Sequence, residues 1–180
     1  MTQKNLTQTS KFLSLILRHK PETIGLNLNQ HGWADISELI EKAPSEMSLT
    51  IPLIKQIVAE NNKKRFALSD DGLQIRANQG HSISVDLGFT CSEPPSLLFH
   101  GTASRFITAI KAEGLIAGQR HHVHLSTNIK TALSVGKRYG KPVILQVAAK
   151  EMYQQGHRFF LSENNVWLTD AVPPQFLSEH

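Results

Sequence analysis

The stretch KRFALSDDGLQIRANQG, residues 64–80, contains two runs in which apolar and polar residues alternate, one on each side of a turn. Asp70, Asp71 and Gly72 occupy the turn, and residues of these types favour tight reversals of the chain. Because alternation with a period of two is typical of strands with one buried face, the stretch predicts a β-hairpin.

Two helices with clear apolar stripes are predicted ahead of this hairpin. Residues 9–19 place their large apolar side chains on one helical face, with Thr9 or Ser10 as the N-cap. Residues 48–62 predict a second such helix, in which Pro52 is tolerated because it lies in the first turn.

A further helix is predicted between these two, within residues 29–43, after a short extended piece. Asp35 is expected to cap it, and Glu38, three residues later, would complete a capping box. Three short helices followed by a hairpin is the element order of a winged helix, a scaffold that frequently binds nucleic acid. We therefore expect residues 1–90 to form a winged-helix-like lobe.

The stretch TCSEPPS, residues 90–96, is the expected boundary, because consecutive prolines stop both helices and strands. We expect residues 91–96 to be a linker and residues 97–180 to form a second lobe. Strands are predicted there at 96–102, 120–126 and 141–149 and as a pair around 158–169, with helices at 103–114 and 127–140. The lobe has neither a G-x-G-x-x-G motif nor a G-x-x-x-x-G-K-[ST] phosphate loop.

The composition of the 180 residues, 40% hydrophobic and 19% charged, is that of an ordinary soluble globular protein. A net charge of +4 without any basic tail favours anionic partners that bind a folded site. Cys91 is the only cysteine, which excludes a disulfide framework and fits a reducing cytoplasm. With no apolar run long enough for a signal peptide or a membrane span, we expect a cytoplasmic protein. The scattered charge and the lack of an obvious apolar patch favour a monomer, and no obligate protein partner is expected.

The stretch QRHHVHLS, residues 119–126, is the most unusual in the chain. On a strand, Arg120, His122 and His124 would share one face, and His121 would lie on the other with the apolar residues. An H-x-H pair can bind zinc, but the arginine would repel a cation, and no Asp or Glu lies between positions 113 and 151. We therefore expect no metal, while a histidine-rich strand with a purely structural role stays open.

An anion site has more support, because basic residues recur at the ends of elements. Arg18 and His19 close the first helix, where a cation also complements the helix dipole. Arg76 lies where an alternating strand gives way to a polar loop. Together with Arg120, these arginines could hold a dianionic phosphate through forked hydrogen bonds.

A competing interpretation uses the histidines as acid and base. The motifs HGT (100–102) and HLS (124–126) are both H-x-[ST], the pattern of two-histidine RNA phosphoesterases. In those enzymes the motifs lie far apart in two similar halves, whereas here they are close together and no duplication is visible. The phosphoesterase is kept as an alternative.

Six segments together closely resemble the NAD-dependent RNA 2′-phosphotransferases, the tRNA 2′-phosphotransferase family. They are LRHKPETIGL (17–26), HGWADISELI (31–40), RFALSDDGLQIRANQGHS (65–82), LLFHGT (97–102), RHHVHLS (120–126) and SENNVWLT (162–169). The resemblance implies an α+β protein with a winged-helix-like RNA lobe and an ADP-ribosyltransferase-like lobe with a split mixed β-sheet. It further implies that an internal 2′-phosphate of RNA is transferred to NAD, the co-substrate, without a metal.

The resemblance also implies which residues act. The catalytic set of the family maps onto Arg18, His19, Arg76 and Arg120. Contacts to NAD are expected from His100, Gly101, Thr102, His124 and Ser126, while the role of His122 stays open. Two alternatives also stay open. One is ADP-ribosylation of terminal RNA phosphates, and the other is a binding module that has lost catalysis.

Overall fold

The computed structural model describes residues 3–61 and 63–180 as two compact units, Met1–Gly88 and Phe89–His180. Both combine helices with small antiparallel sheets, so the chain belongs to the α+β class. The division falls between Gly88 and Phe89, before the expected linker at 91–96. Within the second unit, Cys91 forms an antiparallel bridge with Phe160, so the start of that linker is integrated into the unit.

The first unit contains three helices and three short strands. They are α1 (Gln3–Arg18), β1 (Ala34–Asp35), α2 (Ile36–Lys42), α3 (Ile51–Glu60), β2 (Phe66–Leu68) and β3 (Gln74–Ala77). The predicted hairpin is confirmed, since β2 and β3 pair antiparallel with Phe66 opposite Ala77. On its other side β3 pairs with β1, which gives the sheet order β1-β3-β2.

The predicted start of α1 was wrong. The helix already includes Gln3, and Thr9 lies in its interior, where its hydroxyl donates to the carbonyl of Asn5 at 3.0 Å. Ser14 does the same to the carbonyl of Ser10 at 2.8 Å. Because hydroxyl side chains can bond either at a helix start or four residues back along a helix, they did not mark the boundary.

The N-cap of α2 was predicted correctly, whereas the cap of α3 was not predicted. Asp35 accepts a hydrogen bond from the backbone N–H of Glu38 at 2.9 Å, although the carboxylate of Glu38 bonds Asn27 and Lys42 instead of completing a capping box. Thr50 caps α3, and Pro52 lies in its first turn as predicted.

The apolar stripe of α1 forms part of the core of the first unit. Leu13, Ile16 and Leu17 are fully buried together with Ile54 of α3 and Ile75 of β3. As a consequence, the C-terminal end of α1 has a fixed position relative to β3, the strand that carries Arg76.

The second unit contains three small sheets and three helices. Its elements are β4 (Leu98–Ala103), α4 (Ile107–Glu113), β5 (Leu115–Ile116), β6 (Val123–Leu125), α5 (Ile129–Gly136), β7 (Pro142–Val147), α6 (Ala149–Gln154), β8 (Phe159–Leu161), β9 (Trp167–Thr169), β10 (Ala171–Val172) and β11 (Leu177–Glu179). The sheet orders are β11-β7-β4, β6-β9-β8 and β10-β5. Among the described residues every strand pair is antiparallel, so the expectation of a mixed sheet was wrong. The residue pattern of a strand does not encode the direction of its neighbour.

Two glycines allow β4 and α5 to touch backbone to backbone. A Cβ atom on Gly101 would lie 1.7 Å from the carbonyl oxygen of Ala132, and one on Gly136 would lie 2.6 Å from the carbonyl oxygen of Thr102. Since neither position tolerates a side chain, these glycines are required by packing. The contact holds the helix that follows the histidine-rich segment directly against the HGT strand.

Replacing Gly101 by alanine should therefore lower the free energy of unfolding by about 3 kcal/mol, at the upper end of the usual cost of overpacking. The matched control is Gly118→Ala, whose Cβ would meet nothing within 4 Å but whose φ is +63°. That change should cost about 1–2 kcal/mol, the strain of a left-handed backbone conformation. Equal costs in urea unfolding experiments would contradict the proposed backbone contact.

Candidate functional site

In the first unit, the end of α1 is tied to the loop that follows β3. Arg18 is the last residue of the helix, and its carbonyl accepts a hydrogen bond from the backbone N–H of Ser82 at 2.9 Å. The next residue, His19, places Nδ1 2.9 Å from the hydroxyl of the same serine. Both residues of the predicted Arg-His pair are therefore attached to Ser82.

Arg76 lies on β3 and is half-buried. Its guanidinium carbon is 4.6 Å from the ring centroid of Trp33, a distance typical of a cation–π contact. Arg18 directs its guanidinium towards the carbonyl of Arg65, just before β2, at 3.5 Å. The structure thus gathers three of the four predicted catalytic residues in one unit, on the end of α1 and the strand that packs against it.

Buried polar residues shape the loop after β3. Asn78, 6% exposed, holds the chain by donating from Nδ2 to the carbonyl of Lys64 at 2.8 Å and from its backbone N–H to the carbonyl of Arg65 at 2.9 Å. His81 is buried as well. These anchors fix the loop that carries Ser82, and their roles could not be derived from the residue pattern although the motif contains them.

In the second unit, the HGT strand β4 meets β6 through a bridge between Phe99 and Ser126. Beside this bridge, Nδ1 of His100 lies 3.0 Å from the backbone carbonyl of His124. Because a carbonyl oxygen can only accept, Nδ1 must carry the proton and donate. In its neutral form, His100 then has a lone pair on Nε2, which makes that atom a hydrogen-bond acceptor.

Arg120 and His124 contact each other through their side chains, with Nη1 of the arginine 3.3 Å from Nδ1 of the histidine. A guanidinium can only donate, so Nδ1 of His124 accepts, and the tautomer that fits this contact carries its proton on Nε2. The predicted proximity of Arg120 and His124 is therefore present. His100 adjoins both through the carbonyl of His124 and through the charge of Arg120.

Burial lowers the pKa of His100 below its ordinary value, because a charged imidazolium loses its hydration there. The hydrogen bond to the carbonyl of His124 acts in the opposite direction, and the positive charge of Arg120 lowers the pKa further. His100 is accordingly neutral at pH 7, and its role is that of a hydrogen-bonding group rather than a cation.

The strand predicted at 120–126 is shorter than expected. A turn at Gly118, in which the N–H of Arg120 donates to the carbonyl of Ala117, delays the start of β6 until Val123. Alternation holds only within the strand, where the two apolar residues are buried and His124 is half-buried. The assignment of three basic side chains to one strand face was therefore too broad.

His122 contacts Asp170 and Phe160. Its Nε2 lies 3.8 Å from a carboxylate oxygen of Asp170, and its ring packs edge-on against Phe160 at 5.4 Å between centroids. Burial lowers the pKa of His122, the carboxylate of Asp170 opposes that effect, and His121 and Arg158 add to it. These contacts are sufficient to explain this histidine as a packed residue of the second unit.

The remaining residues expected to contact NAD also have structural roles. Thr102 is only 6% exposed, and Gly101 lies against α5. The hydroxyl of Ser126 accepts from the backbone N–H of Asn128 at 3.0 Å, which shapes the turn into α5. The structure places all three next to His100 along β4 and its bridged neighbour.

Residues 3–61 and 63–180 form neither a metal-binding cluster nor a membrane-spanning helix. That part of the chain contains no cluster of three or more His, Cys, Asp or Glu side chains suited to holding a metal ion. None of its helices combines the length and the apolar character that crossing a membrane requires.

Comparison with known proteins identifies the class to which these two clusters belong. Residues 4–171 match the family model described as RNA 2′-phosphotransferase, Tpt1 / KptA family, so the chain belongs to that family. It is an enzyme family that acts on 2′-phosphates of RNA. The resemblance noted in the sequence is thereby confirmed.

Individual relatives agree over their full lengths. The protein named probable RNA 2′-phosphotransferase of Acaryochloris marina is 54% identical, over 98% of this chain and 98% of its own. Proteins with the same name from Agrobacterium fabrum and Pseudomonas aeruginosa are 56% and 52% identical, over 96% and 99% of this chain and 93% and 100% of their own.

The lowered pKa of His100 predicts how stability depends on pH. Between its folded pKa and the ordinary value of about 6.5, the unfolded chain binds more protons than the folded one. The free energy of unfolding should therefore fall as the pH decreases below about 6.5. His100→Asn, which keeps a donor near the Nδ1 position but cannot titrate, should make this fall shallower.

Urea unfolding of both proteins at several pH values between about 5 and 8 measures the effect, because this range brackets the ordinary pKa of histidine. His122 has a lowered pKa for a similar reason, so part of the pH dependence should survive in the variant. Curves that stay parallel for wild type and variant would show that His100 titrates alike in the folded and unfolded chains.

Proposed function

We propose that the protein removes an internal 2′-phosphate from RNA, of the kind left at a tRNA splice junction, by transferring it to NAD. The observation that carries the proposal is the attachment of Arg18 and His19 to the same loop that follows Arg76, in a chain of the RNA 2′-phosphotransferase family. Two arginines and a histidine on adjoining elements suit a dianionic phosphate.

The proposed reaction has two displacement steps. In the first, an oxygen of the RNA 2′-phosphate forms a bond to C1″ of the nicotinamide ribose, and the bond to nicotinamide breaks with its electron pair leaving on nicotinamide. In the second, the ribose 2″-hydroxyl attacks the phosphorus and the bond to the RNA 2′-oxygen breaks. The proton of the attacking hydroxyl is balanced by the proton taken up by the RNA 2′-oxygen, and ADP-ribose 1″,2″-cyclic phosphate is the other product.

In this reaction the protein must position the phosphate and neutralise its negative charge. A phosphate is already an anionic nucleophile at neutral pH, so the first step needs no base to deprotonate it. In the second step negative charge builds on the phosphoryl oxygens, and arginine guanidinium groups stabilise such charge. We assign Arg76 to the phosphate in both steps, Arg18 and Arg120 to the second step, and His19 to orienting the phosphate or the attacking hydroxyl.

The second unit is proposed to bind NAD through the segments of β4 and β6. A neutral His100 with an acceptor at Nε2 suits a ribose hydroxyl, which has a proton to donate. His124, whose Nδ1 accepts from Arg120, would donate from Nε2 to a phosphate or ribose oxygen. Gly101, Thr102 and Ser126 would complete this NAD-binding segment.

The folds of the two units support a division of labour. We propose that the first unit is a winged-helix-like lobe that binds the RNA, a proposal supported by its element order α1-β1-α2-α3-β2-β3 and its sheet order β1-β3-β2. In the second, we propose an ADP-ribosyltransferase-like lobe built on the two three-stranded sheets.

An RNA with one radiolabelled internal 2′-phosphate, incubated with the protein and EDTA, provides the direct test. Label should move to ADP-ribose cyclic phosphate when NAD is added and stay on the RNA when NAD is omitted. Release of phosphate or opening of a cyclic phosphate without NAD would indicate the two-histidine phosphoesterase instead. ADP-ribose attached to a terminal phosphate of the RNA, with the label still on the internal 2′-phosphate, would indicate the other transferase activity.

Arg76→Ala should reduce the transfer rate by about a thousandfold or more, the usual cost of losing an arginine that stabilises a phosphoryl transition state. Arg76→Lys should recover little, because an ammonium cannot form the forked pair of hydrogen bonds. Arg138→Ala, at an exposed arginine, is the matched control and should leave the rate unchanged. Near wild-type transfer by Arg76→Ala with an intact fold would remove Arg76 from the mechanism.

A further inference from the structure

Ser82 contacts both members of the Arg-His pair at the end of α1. Its backbone N–H donates to the carbonyl of Arg18 at 2.9 Å, and its hydroxyl lies 2.9 Å from Nδ1 of His19. One residue thereby fixes the end of the helix through its backbone and the orientation of the histidine ring through its side chain. The side chain of Ser82 itself is exposed.

The loop that presents Ser82 is anchored to the segment that precedes β2. Asn78 holds it to the carbonyls of Lys64 and Arg65, and the buried His81 directly precedes the serine. A hydroxyl on such a fixed loop can orient a partner, because little conformational freedom is lost when the hydrogen bond forms. A serine on a mobile surface segment would not have this effect.

We propose that Ser82 is a positioning residue for His19, an inference that rests on the proposed function for its consequence in catalysis. The hydrogen bond engages Nδ1 and so holds one ring orientation, and because a serine hydroxyl can donate or accept, it does so in either tautomer of the neutral imidazole. Any direct contact of His19 with a phosphate oxygen or with the attacking hydroxyl is then made through Nε2. Ser82 acts on the reaction through His19 and does not touch the substrate.

The experiment compares wild type with Ser82→Ala and Ser82→Thr, and uses Ser84→Ala as a matched control in the same loop. Ser82→Ala keeps the backbone N–H that bonds Arg18, so the end of α1 should remain in place, which circular dichroism and the melting temperature check. Ser82→Thr keeps a hydroxyl. Ser84 is exposed two residues further on.

Nitrogen-15 NMR of the imidazole of His19 in the free protein reports the hydrogen bond at Nδ1 directly. We expect the Nδ1 resonance to shift in Ser82→Ala, to return towards its wild-type position in Ser82→Thr and to stay unchanged in Ser84→Ala. The transfer assay should show kcat lowered about tenfold in Ser82→Ala with KM for RNA unchanged, as expected for the loss of one positioned hydrogen bond. Ser82→Thr should restore most of the rate.

An unchanged Nδ1 resonance of His19 in Ser82→Ala would overturn the proposal, as would a rise in KM for RNA with kcat unchanged, which would mean that the serine binds substrate directly. Loss of rate without rescue by threonine would also overturn it. If wild type itself transfers no phosphate, the proposed function fails, and the NMR comparison still decides whether Ser82 orients His19. The two failures are therefore distinguishable.

Discussion

The direct contact between the backbones of β4 and α5 is the constraint on which the second unit depends. With Gly101 against the carbonyl of Ala132 and Gly136 against that of Thr102, the strand and the helix lie closer than side chains permit. The same strand pairs along six residues with β7 and is bridged to Ser126 at the end of β6. Small residues in the HGT segment therefore serve packing first, and this packing sets where His100 and His124 lie.

Much of the fold was predictable because local chemistry determines it. The hairpin around Gly72, the cap at Asp35 and the proline in the first turn of α3 follow from backbone preferences within a few residues. The start of α1 and the length of β6 were not predictable in this way. Hydroxyl residues are compatible with both a helix start and a helix interior, and the turn at Gly118 interrupts an alternation that the residues alone would continue.

Some residues of the candidate site could be predicted from the sequence and others could not. Positively charged residues at the ends of elements, such as Arg18 and Arg76, stand out in a sequence because their chemistry is unusual at those positions. Trp33 and Ser82 do not stand out, since their roles depend on contacts with residues far away in the chain. Trp33 contacts Arg76, 43 positions later (76 − 33), and Ser82 contacts His19, 63 positions earlier (82 − 19). Only the folded structure reveals that each of these residues supports a predicted one.

The contact between Trp33 and Arg76 gives the protein a built-in optical property. The chain has two tryptophans, Trp33 in the first unit and the buried Trp167 in the second, so each unit carries its own fluorophore. The guanidinium lies 4.6 Å from the centroid of the Trp33 ring, and an indole in contact with a cation changes its emission when that charge is neutralised or displaced. An anion bound at Arg76 would thus be visible as a change in the protein's own fluorescence, without any added label.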